Sequence, residues 1–130
     1  MIGTSRERGM PKLAYVSCIV NTPQLQPYLF RNYDLPAERD SRYRGTTQHK
    51  MWQAIQASAA APGYFEEVGG LFKPPLKTAN TVQVQIESIL HQDGGVLCNN
   101  PTAIALHEAH QLWPDEELKC ELVGDWRPYT

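Results

Sequence analysis

The chain has 130 residues, with 12 Lys plus Arg against 14 Asp plus Glu and 42% apolar residues. That length fits one domain, or part of a larger one, with enough apolar surface to build a core. Charged residues at 20% exclude wholesale disorder, and a net charge of −2 speaks against nucleic-acid binding, which calls for a basic face.

Leu13 to Val20 is apolar, β-branched and short, and Asn21-Thr-Pro23 closes it, so a buried strand is predicted. Gln26 to Tyr33 is a second strand, with Tyr28, Phe30 and Asn32 alternating against Leu29, Arg31 and Tyr33. Asp34 to Thr47 is polar and turn-rich and reads as a surface loop. Its Arg39, Arg42 and Arg44 could meet lipid phosphate, but Asp34, Glu38 and Asp40 dilute the field, so a solvated loop is the better reading.

Gln48 to Ala61 predicts a helix with Trp52, Ile55 and Ala59 on one apolar face, ended by Pro62-Gly63. The run Ala57-Ser-Ala-Ala-Ala61 is unusually small. It fits either close approach to another backbone or simple helix propensity. Gly69-Gly70 and Pro74-Pro75 break regular structure, and Thr81 to Ile86 then alternates as a half-exposed strand does. Ile89 to Gly95 is a short strand running into a glycine turn. Asn100-Pro101 suits a helix start, with Asn as cap and Pro at the first helical position. Thr102, Leu106, Ala109 and Trp113 are the expected face of that helix, Pro114 stops it, and Leu118 to Val123 is a last strand. Strands mixed with helices favour an α/β layered fold.

No apolar run approaches the ~18–20 residues that span a bilayer, and Met1 to Arg8 has no apolar signal core. Cys18, Cys98 and Cys120 are scattered, without a Cys-x-x-Cys, so a reducing compartment with idle thiols is expected.

Asp93-Gly94-Gly95 follows a strand, where a carboxylate projects at the carboxyl edge of a sheet. The glycines permit positive φ and close backbone approach. On the dipeptide alone, a plain Asp-Gly turn is the simpler reading. His91 shares the strand face of Asp93, either biasing its carboxyl or serving as a local hydrogen-bond partner. His107-Glu-Ala-His110 invites a zinc reading, but its histidines are at i, i+3 and not the i, i+4 of the zinc-protease helix, so no metal is assigned. Gly3-Thr-Ser-Arg-Glu7 resembles the opening of the nucleophile elbow Gly-x-Ser-x-Gly, yet Glu7 replaces the second glycine and no buried strand precedes it. Ser5 is therefore rejected, and the chain offers a candidate base without a nucleophile.

Three blocks together resemble the patatin-like phospholipase family: Lys50 to Phe65, His91-Gln-Asp-Gly-Gly-Val-Leu-Cys-Asn-Asn-Pro-Thr102, and Leu112-Trp-Pro-Asp115. The resemblance covers about residues 11–65 and 91–120. It implies a partial three-layer α/β/α patatin-like sandwich with its early strands missing, residues 1–130 forming one partial domain with a divergent segment 66–90 and a divergent tail 124–130. It implies hydrolysis of fatty-acyl esters of glycerophospholipids by a Ser-Asp dyad, without calcium or another cofactor. Asp93 matches the dyad aspartate, the proton acceptor, Gly94 and Gly95 match the turn that presents it, and Ala57 to Ala61 match the helix that packs closely near the site. The implied partner is a phospholipid or other acyl-ester lipid at a peripheral membrane surface inside the cell.

The family's elbow and oxyanion loop lie upstream of anything in this chain. The expectation is a fragment that is inactive alone, the missing serine costing on the order of 10⁶ in rate and the missing oxyanion donors a further ~10²–10³. A non-catalytic module that binds lipid or a partner chain is the alternative, with Tyr64, Phe65, Leu71 and Phe72 as an apolar lip. A sheet without its early strands would also expose an edge able to pair with another chain.

Overall fold

The computed structural model describes residues 9–62, 84–86 and 89–118. The elements run β1 (Ala14–Ile19), β2 (Gln26–Arg31), β3 (Arg44–Thr46), α1 (Met51–Ser58), β4 (Val84–Ile86), β5 (Ile89–Asp93), a single 3-10 turn (Gly94–Val96) and α2 (Thr102–Leu112). The five strands form one mixed sheet in the order β3-β2-β1-β5-β4. β1 pairs antiparallel with β2 and β5, β4 pairs antiparallel with β5, and β2 pairs parallel with β3. The chain is of the α/β class.

Both apolar strands lie where their patterns put them, because alternating large residues supply two buried faces. Ile19, Tyr28 and Phe30 share one face with Ala54 and Ala57 of α1, and Tyr15 and Ile89 pack at its margin. Cys18, Leu29, Arg31 and Gln92 are buried on the opposite face. Asn32 closes the end of the hairpin: its Oδ1 accepts the Leu13 N–H at 2.7 Å, and its Nδ2 donates to the Pro11 carbonyl at 3.0 Å.

Several expectations need correction. Residues 34–47 are not all loop, since Arg44–Thr46 forms β3. Arg-Gly-Thr carries no apolar alternation, and what seats it is the absence of a side chain. A Cβ on Gly45 would lie 2.2 Å from the Arg31 guanidinium and 2.3 Å from the Leu29 carbonyl oxygen. The first helix begins at Met51, where the Gln53 side chain accepts the Lys50 N–H at 2.9 Å. Its buried face is also not Trp52, Ile55 and Ala59, for Trp52 and Ile55 are exposed and Ala54, Ala57 and Ala60 are buried. The sheet beneath already presents Tyr28 and Phe30, so only small side chains fit between. Close approach is thus the role of the alanine run, and Ser58 Oγ donates to the Val16 carbonyl at 2.7 Å.

The second helix starts at Thr102 with Pro101 at its N-cap, one residue later than expected, and Asn100 Oδ1 accepts the Thr102 N–H at 3.1 Å from just before the cap. Its buried residues are Ile104 and Glu108, and Trp113 is exposed, which replaces the expected face. The strand expected over Leu118 to Val123, the lip of Tyr64, Phe65, Leu71 and Phe72, and Ser5 and Cys120 lie outside the described residues. So do residues 81–83 of the strand expected at Thr81 to Ile86.

The described chain divides into two compact units, residues 1–34 with 43–99 and residues 35–42 with 100–130. The first holds the whole sheet and α1. The second holds α2, where the buried Glu108 carboxylate accepts the Ser41 hydroxyl.

Candidate functional site

Asp93 is the last residue of β5 and is partly buried. Its N–H donates to the Ala60 carbonyl at 3.1 Å, so the chain just past the C-terminal end of α1 is tied to the strand end. One carboxylate oxygen, Oδ1, accepts the Gly95 N–H at 2.8 Å. Asp93 thereby caps its own following turn, leaving Oδ2 as its remaining acceptor.

Gly94 is required by space. A Cβ there would lie 2.3 Å from the Val16 carbonyl oxygen, in the β1 backbone that also receives Ser58. At Gly95 the same atom would lie 3.3 Å from the Asp93 carboxylate, a flexible neighbour. The expected positive φ is not found at either residue, and among the described glycines only Gly9 has one. Close approach, and not backbone handedness, accounts for the first glycine of the motif.

Behind the turn lies a polar pair that the sequence reading only half resolved. Ser17 stands directly across from Asp93 in the β1–β5 register, and Ile19 stands across from His91. Ser17 Oγ and His91 Nδ1 are 2.9 Å apart, both side chains being fully buried. His91 is therefore a local hydrogen-bond partner, as one of its two readings held. Its ring meets Tyr28 at 5.0 Å and Phe30 at 5.2 Å between centroids, and Phe30 in turn meets His49 at 5.4 Å. Burial pulls the His91 pKa down to about 4, and repulsion from His49 adds to this, so the ring is neutral at pH 7. Ser17 carried no sequence signal beyond its place in an apolar strand.

Ser17 cannot reach a substrate from a fully buried position, so the pair is no nucleophile and base in its own right. The Cys18 thiol, pushed up by burial, is inert for the same reason. The 130 residues contain no Gly-x-Ser-x-Gly. Glu108 of the His107-Glu-Ala-His110 group is turned to Ser41, and among the described residues no three His, Cys, Asp or Glu side chains converge as metal ligands do.

The Asp-Gly-Gly turn is thus one braced unit, with Ala60, just past α1, and Val16 of β1 holding it from two sides. The profile of the patatin-like phospholipase family matches residues 11–106, which include all of these contacts. Calcium-independent phospholipase A2-gamma of Mus musculus is 46% identical over 121 residues, covering 92% of this chain and 14% of that protein. The Homo sapiens protein of that name is 46% identical over 123 residues, covering 92% of this chain and 13% of its own length. Phospholipase A I of Arabidopsis thaliana is 29% identical over 145 residues, covering 89% of this chain and 10% of its own. No solved structure is a significant match. The chain spans a small part of these relatives, but the family profile covers most of the chain itself, and on that basis this protein belongs to the patatin-like phospholipase family.

Proposed function

We propose that this chain supplies Asp93 as the proton acceptor of a phospholipid acyl-ester hydrolase, with the serine nucleophile and the oxyanion donors coming from sequence outside these 130 residues. The arrangement that carries this reading is the braced carboxylate at the end of β5, held by Gly95 through Oδ1 with Oδ2 left to take a proton. A serine hydroxyl is a weak nucleophile until a base within about 2.6–3.2 Å takes its proton. The alkoxide oxygen then bonds to the ester carbonyl carbon, and the lysophospholipid alcohol departs with the proton Asp93 received. Water completes the cycle by the reverse sequence, releasing fatty acid. Val96 and Leu97, apolar and 47% and 42% exposed, follow the turn directly and support contact with a lipid surface.

The test uses a chimera in which this chain replaces the matching segment of a family member that carries the serine. Phosphatidylcholine vesicles should be hydrolysed by the chimera and not by the 130-residue chain alone. Asp93→Asn in the chimera should lower the rate about 10²–10⁴-fold. A chimera indifferent to that substitution would overturn the assignment.

The exposed Val96 and Leu97 also fit a second reading, a module that binds lipid or a partner chain without catalysis, with an outer strand of the sheet as the pairing edge. Flotation of the chain on vesicles, combined with a chimera that never hydrolyses them, would favour it.

A further inference from the structure

The place of Asp93 relative to β1 depends on β5 lying against β1 in one register, whereas its bond to Gly95 is local to the turn. Side chains alternate along a strand, so a one-residue slip would turn Asp93 to the other face and bring Gln92 in its place. A two-residue slip would keep the apolar alternation intact, yet move Asp93 about 7 Å along β1. Ile89 and His91 lie on the same face, so apolar burial alone separates these registers weakly. Two contacts are specific to the observed one. The first is the seat of Gly94 on the Val16 carbonyl, and the second is the diagonal bond between Ser17 and His91.

We propose that the Ser17–His91 hydrogen bond is the positioning device of Asp93, selecting the β1–β5 register in which the Asp-Gly-Gly turn closes. A buried polar pair is suited to this. Any register that separates a buried hydroxyl from its imidazole leaves both groups without a partner, whereas mismatched apolar residues lose little. Both groups are fully buried, the pair lies between the two strands, and Ser17 is itself the residue across from Asp93. The rings of Tyr28 and Phe30 hold the imidazole from the β2 side, so its Nδ1 has little room to turn elsewhere. His91 is thus a positioning residue that acts through the strand register, and Ser17 is its partner. This rests on Asp93 being the functional carboxylate of the chain.

The experiment reads the turn and not hydrolysis, so its outcome is separate from that of the chimera. In the isotopically labelled 130-residue chain, the linkage to read is the through-space contact between the Ser17 and Asp93 backbone protons, together with protection of the Asp93 amide that donates to the Ala60 carbonyl. Ser17→Ala and His91→Phe should abolish that linkage and speed Asp93 amide exchange roughly tenfold or more, while the amides of the β1–β2 hairpin keep their dispersion. His91→Asn should restore the linkage, since its carboxamide can place a polar atom near the position of Nδ1. Where Ser17→Ala fails to fold, Ser17→Cys serves, being close in size but a weak hydrogen-bonding group. A Ser17–Asp93 contact and an Asp93 amide unchanged in Ser17→Ala or Ser17→Cys overturn the proposal. Failure of His91→Asn to restore what His91→Phe loses also overturns it, because ring shape would then be the operative property.

Discussion

At the scale of single residues, the two glycines of the Asp-Gly-Gly turn have different reasons to be there. Gly94 faces a backbone carbonyl that cannot withdraw without moving β1, whereas Gly95 faces the Asp93 carboxylate at 3.3 Å, which needs to give by only a few tenths of an ångström. Gly94→Ala should therefore destabilise the chain by about 1–3 kcal/mol, as over-packing does. Gly95→Ala should stay within about 1 kcal/mol. Urea denaturation of the two variants checks this, and equal losses would show that the turn needs glycine for some other reason. Asp93 differs again. Its N–H and Oδ1 serve the turn, so Asp93→Asn retains much of the local structure while removing the base, which is why the expected effect lies in rate and not in folding.

At the scale of elements, α1 shows how a helix can present its largest apolar residues outward. Trp52 and Ile55 dominate any reading of helical periodicity, but the sheet face they would meet is filled by Tyr28 and Phe30. Ala54 and Ala57 fit against those rings, and their small size also lets Ser58 reach the Val16 carbonyl. Ala57→Leu should accordingly cost about 1–3 kcal/mol, and Ile55→Gln about 0.5 kcal/mol or less. Thermal melts of the pair would separate the two faces, and the reverse ranking would restore the face expected from periodicity. β3 was illegible for a related reason. Arg44-Gly-Thr46 has no alternation to read, and its place beside β2 depends on the Arg31 side chain lying over Gly45. The Arg31 guanidinium also donates to the Tyr43 carbonyl at 3.2 Å, just before the strand begins.

At the scale of the whole molecule, the buried imidazole makes stability depend on pH. The folded His91 pKa is about 4 against an ordinary 6.5, so the folded state resists protonation that the unfolded chain accepts. Above pH 6.5 both states are neutral there and nothing is lost. As pH falls from 6.5 towards 4 the unfolded state gains protons first, and stability should drop by on the order of 3 kcal/mol. Repulsion from His49 acts in the same direction as burial. Urea midpoints measured between pH 7 and pH 4 test this. His91→Asn should flatten the profile, and a wild-type chain whose midpoint does not move in that window would contradict it.

The local pattern alone was enough to locate β1, β2 and β5, the helix before the site, the stop at Pro114 and the Asp-Gly-Gly turn, because alternation and helix breakers are properties of neighbours in the chain. Tertiary contact decided which side of α1 faces the sheet, that Arg44–Thr46 is a strand, and that Glu108 is turned to Ser41. It also decided that a serine in one strand and a histidine 74 residues later form the buried bond behind Asp93. These outcomes depend on how much room an opposing surface leaves and which polar group it brings within 3 Å, and neither quantity exists until the chain has closed on itself.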